Sequence, residues 1–256
     1  MQKKITLLFF ILWPIFAVWL SFHFRINAFF STIVFYGILS CVLSIYRPYW
    51  IKKAITVSLL TIPIMIVIDY IAESTGAWLI PFSVLPYRLF GYVPIEVIMW
   101  ASLHVYAVIM FYQYFFEKVF IKKIWDKKSE RLLLGEMILF TLFLALLFLV
   151  PRVLNIPYWY SVFGLVGILP AVIFEDFKYP KVFQKLLKTA IFFFYLNFVY
   201  EITALKLGWW SFPSKQIIGQ VSFFGVTFPF EEFFFWIVLF TLSILSYYEY
   251  FFNKEK

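Results

Sequence analysis

Eight stretches of the chain are long and apolar enough to be bilayer spans, and each approaches the roughly 20 residues that a helix needs to cross the hydrocarbon core. They fall at about 5–22, 27–46, 54–72, 94–116, 132–150, 158–174, 186–204 and 229–252. Lipid offers no hydrogen bonds, so a backbone inside it has to satisfy its own polar groups, and apolar runs of this length do so as helices. Composition leads to the same place: 64% of the 256 residues are hydrophobic and 14% are charged, more apolar surface than a soluble domain of this size can hide. The expected fold is an all-α integral membrane protein with eight transmembrane helices. Lys3 and Lys4 precede the first stretch as they would in a signal sequence, but Trp19, Phe22 and Phe24 occupy the region of a small-residue cleavage site. That stretch therefore reads as a retained helix, kinked at Pro14.

The net charge of +8 would suit nucleic acid, yet the basic residues sit in short loops between apolar runs. Arg25, Arg88, Arg152, Lys206 and Lys215 lie in one set of loops and the other 17 of the 22 Lys and Arg in the alternate set. Such a bias places both termini in the cytoplasm, makes the plasma membrane the expected location, and leaves no role for nucleic acid. The longest loops, about 73–93 and 205–228, then lie outside. The single cysteine, Cys41, excludes a disulfide framework and a cysteine metal cluster. Aromatics make up 25% of the chain, with 36 Phe, which suggests wide ring faces against lipid or around a large apolar ligand.

The sequence overlays on itself. A shift of 132 puts Asp69 on Glu201, Gly76 on Gly208, Trp78 on Trp210 and Pro48 on Pro180. Further on, a shift of 136 puts Glu96 on Glu232, Trp100 on Trp236 and Tyr112 on Tyr248, whereas Pro94-x-Glu96 meets Pro229-x-Glu231 at 135. Which glutamate matches Glu96 stays open at this point. Four spans per half keep both halves in one orientation. Two parallel four-helix repeats, 1–122 and 123–256, are expected about a pseudo-two-fold axis along the membrane normal.

Ionisable residues inside spans cost about 2.5–3.5 kcal/mol or more at the bilayer centre and are functional candidates by default. Asp69 and Glu201 fall near the outer ends of the third and seventh spans, and Glu96, Glu231 and Glu232 near the outer starts of the fourth and eighth. The topology thus gathers five carboxyl groups at one depth. A Pro-x-Glu can be no more than a helix start, with Pro in the first turn and the acid favoured by the helix dipole. Asp69 and Glu201 have no such account, because the dipole at a helix C-terminus disfavours acids. Glu96, Trp100 and His104 share one helical face, as do Glu232 and Trp236. Asn197 lies one turn before Glu201 and either orients it or bonds a neighbouring helix. His104 reads as a bundle histidine satisfied by a neighbour or as part of the site. Trp78 and Trp210 read as interface-belt residues or as a roof over the acids. Glu136, Glu175 and Asp176 read as interfacial. No GxGxxG, GxxxxGK[ST] or DDxxD-type motif is present, and two His without Cys partners make a catalytic transition metal unexpected. Neither a cofactor nor a metal is expected.

Asp-x8-Trp followed by a helix opened with Pro-x-Glu, both occurring twice, resembles the membrane-integral lycopene cyclases of the heterodimeric or fused type. In that family small polytopic modules pair, each with a Pro-x-Glu-Glu-like motif followed by aromatics. Pro229-Phe230-Glu231-Glu232-Phe233-Phe234-Phe235-Trp236 fits closely, while Pro94-Ile95-Glu96-Val97 departs from the pattern at Val97. The resemblance covers about 54–116 and 186–252. It implies a redox-neutral ring closure in which a carboxylic acid protonates the terminal double bond of an acyclic carotenoid. The next double bond attacks the cation, and loss of a proton completes the ring. Glu231 and Glu232, then Glu96, then Asp69 and Glu201 are the candidate acid–base groups. Trp100, Trp236, Trp78, Trp210, His104 and Asn197 are candidates for holding substrate, with the indole faces steadying the cation. Expected partners are a lipophilic polyene or isoprenoid substrate and membrane lipid, with a second copy or other carotenoid enzymes as further candidates. The alternatives are a carotenoid hydratase or another isoprenoid-modifying enzyme, a proton-coupled carrier, and a non-catalytic bundle that only binds carotenoid or a partner helix.

Overall fold

The computed structural model describes residues 2–116, 127–178 and 180–251. The expected repeat boundary at 122/123 and the basic residues Lys118, Lys122, Lys123, Lys254 and Lys256 lie outside the described residues. Helices dominate: α1 (Gln2–Phe24), α2 (Ala28–Tyr46), α3 (Ile51–Thr75), α4 (Ile95–Phe116), α5 (Lys127–Leu149), α6 (159–178), α7 (Pro180–Leu207) and α8 (230–251). Among the described residues six helical stretches are long and apolar enough to cross a membrane, those of α1 to α4, α7 and α8. The expected fifth and sixth spans appear as shorter apolar runs, Leu134–Leu149 and Trp159–Ile173. The protein is thus an all-helical bundle of the multi-pass membrane type, apart from two small hairpins.

Local chemistry explains the boundaries. The Asn27 side chain caps α2 by accepting from the Phe30 N–H at 3.1 Å. Helices α3 and α7 each stop at a left-handed glycine, Gly76 and Gly208, both at φ 69°, where a side chain would be strained. Beyond each glycine the chain forms a hairpin, β1 (Arg88–Leu89) with β2 (Val93–Pro94), and β3 (Gln220–Phe223) with β4 (Val226–Pro229). Both turns carry Phe-Gly at the tip with positive φ at each residue, 53° and 80° for Phe90 and Gly91, 50° and 79° for Phe224 and Gly225. In β3–β4, where the turn is the two residues Phe224-Gly225, consecutive positive φ values suit the right-handed twist of the hairpin, and β1–β2 adds Tyr92 as a third turn residue. Pro94 and Pro229 end strands instead of occupying the first helical turn, and α4 and α8 start just after them.

Three π-helical segments interrupt the α-helices: Ile33–Gly37 in α2, Gly164–Ile168 in α6 and Glu232–Leu239 in α8. The first two lie 131 residues apart, within one residue of the 132 offset at which the sequence overlays on itself. The third has no counterpart in α4, which is α-helical from Ile95 to Phe116.

Helix α1 packs on α7 and α5 on α3, α2 packs on α4 and α6 on α8, and α4 and α8 meet in the middle. Four contacts join residues that the sequence offsets pair with one another. At the hairpin end, Trp78 and Trp210 stack with ring centroids 5.9 Å apart. Beside them Leu79 and Ser211 exchange backbone hydrogen bonds of 2.8 and 2.9 Å. Deeper in, Trp100 and Trp236 lie 6.3 Å apart, and nearer the other end Tyr112 and Tyr248 lie 6.4 Å apart.

Candidate functional site

Beneath the stacked indoles of Trp78 and Trp210 lies a small, partly open cavity. Helix α2 contributes Thr32 and Tyr36, α4 contributes Glu96, Val97 and Trp100, α7 contributes Asn197, Tyr200 and Glu201, and α8 contributes Glu232 and Trp236. All five acids singled out from the sequence are buried at this end of the bundle, and three of them line the cavity.

Their partners differ. Trp78 Nε1 donates to Asp69 Oδ1 at 2.8 Å and Trp210 Nε1 to Glu201 Oε1 at 2.9 Å, so the indoles that roof the cavity also hold an acid apiece. Glu96 is bound to the preceding loop, accepting from the Val84 N–H at 2.5 Å, with Ser83 Oγ 2.7 Å from Oε2. Glu231 makes the same kind of link, accepting from the Ile218 N–H at 2.6 Å and from Ser161 Oγ at 3.1 Å. In this geometry Glu96 resembles Glu231, and the residues that follow them, Val97 and Glu232, both line the cavity. The extra residue in the π segment of α8 then moves the offset from 135 at Glu231 to 136 at Trp236.

Like Asp69 and Glu231, Glu232 has one oxygen unpartnered among the described residues, but unlike Glu96 and Glu231 it is not tied to a loop N–H there. Its side chain is buried, its Oε2 has no hydrogen-bond partner among the described residues, and its neighbours are the Tyr160 hydroxyl and Glu201. Among the described residues no Lys or Arg forms an ion pair with Glu201 or Glu232, while Arg88 is committed to Glu73 at 3.3 Å. Trp236 stands one turn beyond Glu232 and packs against Phe240 at 4.6 Å, and Trp100 completes the aromatic wall.

Of the two readings of Asn197, the structure shows the bond to a neighbouring helix. Its Oδ1 accepts from the Tyr36 hydroxyl at 2.9 Å, and its Nδ2 is unpartnered among the described residues. Neither ring nitrogen of His104 has a hydrogen-bond partner there, so a satisfied bundle histidine is not what stands at 104. The ring stacks between Tyr36 at 5.2 Å and Phe193 at 5.8 Å and meets Trp100 edge-on at 5.2 Å. Glu136 accepts from the Tyr247 hydroxyl at 2.7 Å. No group of three or more His, Cys, Asp or Glu among the described residues is placed to hold a metal ion.

Sequence reasoning passed over Tyr36, Tyr160, Tyr200, Glu73 and Arg88. Tyr200 is bonded to Thr32 at 2.9 Å, and Tyr160 stands within electrostatic reach of Asp69, Glu201 and Glu232. Glu73 bonds the Ile80 N–H at 2.8 Å and Arg88, which also donates to the carbonyls of Ile80 and Tyr92. Glu73 did leave a trace, since it lies one turn after Asp69 on the same helical face. Tyrosines among so many aromatics left none.

Chemically, the arrangement sets a carboxyl group free of ion pairing against π faces in a buried space, with a second carboxyl group in reach. No family model, no curated protein and no solved structure matches the chain.

Proposed function

We propose that the chain is a membrane enzyme that closes a ring on the end of an acyclic, carotenoid-type polyene, with Glu232 as the proton donor. The observation that carries this reading is Glu232 itself, buried beside Trp236, paired with no cation among the described residues, and with one oxygen uncommitted. A lone carboxylate is costly in such surroundings, whereas a carboxylic acid is a reagent there. Its proton adds to the terminal double bond of the substrate and leaves a tertiary cation. The next double bond attacks that centre, forming the new carbon–carbon bond, and the ring cation then loses a proton to the Glu232 carboxylate or to Glu201. Atoms balance, and no electron donor or acceptor is needed. Trp100 and Trp236 face the cation and keep out the water that would trap it. Their rings lie 6.3 Å apart, so they have to part for an end group to come between them.

The architecture that goes with this reading is eight spans in two parallel repeats about an axis along the membrane normal, with both termini in the cytoplasm of a plasma-membrane protein. What supports the axis is that Trp78, Leu79, Trp100 and Tyr112 each touch their own counterpart at successive depths, as residues do only on a two-fold axis. Reporter fusions at each loop test the orientation.

Hydration of the same cation is the second reading. It is favoured by Asn197 Nδ2 and by the Tyr36 and Tyr200 side chains on the cavity wall, groups able to hold a water. Expression in a lycopene-accumulating bacterium separates the two. Ring closure yields a pigment of unchanged mass and shorter-wavelength absorption that Glu232→Gln abolishes, and hydration adds the mass of one water. Unaltered lycopene, with the protein present in the membrane, overturns both.

A further inference from the structure

A small space lies between α3 and α6 and shares Trp78 and Trp236 with the acid-lined cavity. It has room for one water or two and no more. Asp69, Trp159 and Tyr160 are also on its wall. Some of the polar atoms here are already used, since Trp159 Nε1 donates to the Ile68 carbonyl at 3.0 Å and Trp78 Nε1 to Asp69 Oδ1 at 2.8 Å. Two others are not. Asp69 Oδ2 and Trp236 Nε1 are buried and have no hydrogen-bond partner among the described residues. The Tyr160 hydroxyl is the third polar group, and it stands within electrostatic reach of both Asp69 and Glu232. Unpartnered buried polar groups are costly, and a space of this size with two to four polar groups around it is where proteins hold a buried water. The three groups also complement one another. An indole N–H only donates, a hydroxyl does either, and a carboxyl oxygen accepts or, when protonated, donates. Because Oδ1 already accepts from Trp78, the proton of a neutral Asp69 belongs on Oδ2.

We propose that this space binds water, and that the water joins Asp69 to Glu232 through the Tyr160 hydroxyl, so that the acids of α3 and α8 share a proton. Trp236 anchors the water by donating to it. In the transfer, Asp69 Oδ2 gives its proton to the water, and the water gives one of its own to the Tyr160 oxygen. Tyr160 then gives its hydroxyl proton to the Glu232 carboxylate. One proton and one negative charge change places, and water and tyrosine are left as they were. Asp69 thus acts through the water and Tyr160 and is a positioning residue. The proposal does not rest on ring closure, because it concerns where the protein's own protons lie.

Infrared spectra of the purified full chain in lipid nanodiscs, without substrate, test both parts. Acid-minus-alkaline difference spectra are recorded in ordinary and in heavy-oxygen water, which moves the O–H bands of bound water and leaves those of the protein in place. The wild type is expected to show at least one such water band. It should be lost in Ala72→Val, whose added methyl groups fill the space, and in Trp236→Phe, which removes the anchoring N–H and keeps a ring. The two changes are independent, so a folding failure of one leaves the other. The Glu232 carboxyl band is identified by its absence in Glu232→Gln. Asp69→Asn is expected to lower the midpoint of that band by about one pH unit, tenfold in proton affinity, and to lower it much less when combined with Tyr160→Phe. The other ionisable groups around the pair, Glu201 on α7 and Glu73 with Arg88 beside Asp69, are the same in all these variants. The proposal is overturned if the wild type has no water band, or if every such band survives in a well-folded Ala72→Val or Trp236→Phe. It is equally overturned if Asp69→Asn leaves the Glu232 midpoint alone, or moves it as far with Tyr160→Phe as without. Failure to cyclise lycopene changes none of these outcomes.

Discussion

The β1–β2 hairpin leads into α4 as the β3–β4 hairpin leads into α8, and each helix begins with a glutamate tied to a loop N–H, Glu96 to Val84 and Glu231 to Ile218. One residue later the two part company. Helix α4 places Val97 against the cavity and continues as an α-helix, whereas α8 places Glu232 there and loosens into a π segment. The loop-side acid is thus common to both units and behaves as a fastening. The cavity-side acid belongs to one unit and is the candidate reagent. On the reading proposed above, the two hairpin-to-helix units differ in their chemistry by one side chain and one inserted residue, in a kind of segment that is often functional.

The largest effect is expected where the units differ most. Glu232→Gln should lower product formation by about 10²–10⁴-fold, the usual contribution of a general acid, while Val97→Ala stays near wild type, both read by pigment chromatography. If the two variants behave alike, the comparison collapses. Because Val97 and Glu232 line the same cavity, moving the acid across it is a sharper trial. Val97→Glu in a Glu232→Val background should regain activity at about 1% of wild type, a level set by misplacement of the proton by an ångström or so. Next comes the fastening found only in the first unit. Arg88→Ala strands Glu73 and should cost about 2 kcal/mol in thermal unfolding, whereas Ser222→Ala in the second hairpin should cost almost nothing.

The paired π segments offer a milder contrast. A Cβ at Gly164 would run into the Phe235 ring, while one at Gly37 would meet its own Ile33 at 3.4 Å. Gly164→Ala should therefore destabilise by about 1–3 kcal/mol and Gly37→Ala by much less, compared by melting temperature. No difference between the units is expected for Gly91→Ala and Gly225→Ala, each costing about 1 kcal/mol in melting experiments, since both glycines have open space around them and differ from alanine only in tolerating positive φ.

Much of this was legible in the chain. Apolar length marked the helices, and Asp69 with Trp78, repeated as Glu201 with Trp210, marked a pairing that became a hydrogen bond in both places. The counterpart of Glu96 was not legible, because offsets of 135 and 136 both score well when an inserted residue lies between Glu231 and Trp236, and a π segment leaves no mark in hydropathy. The hairpins were hidden for a related reason. Their strands are two to four residues long, shorter than any periodicity can reveal, and Phe90-Gly91 and Phe224-Gly225 stand among other aromatics. Tyr36 and Tyr160 reach the acids from helices far away in sequence, a proximity that spacing along the chain does not carry.

The hydrogen-bonded pairing of Leu79 with Ser211 has a consequence for how the molecule comes into being. A ribosome makes Leu79 long before Ser211, so the ceiling over the acids cannot close while only the first half is in the bilayer. Glu232 emerges later still. Until then the nascent chain holds Asp69 and Glu96 without Glu232, and the acid-lined cavity exists only once α8 has been laid against α4.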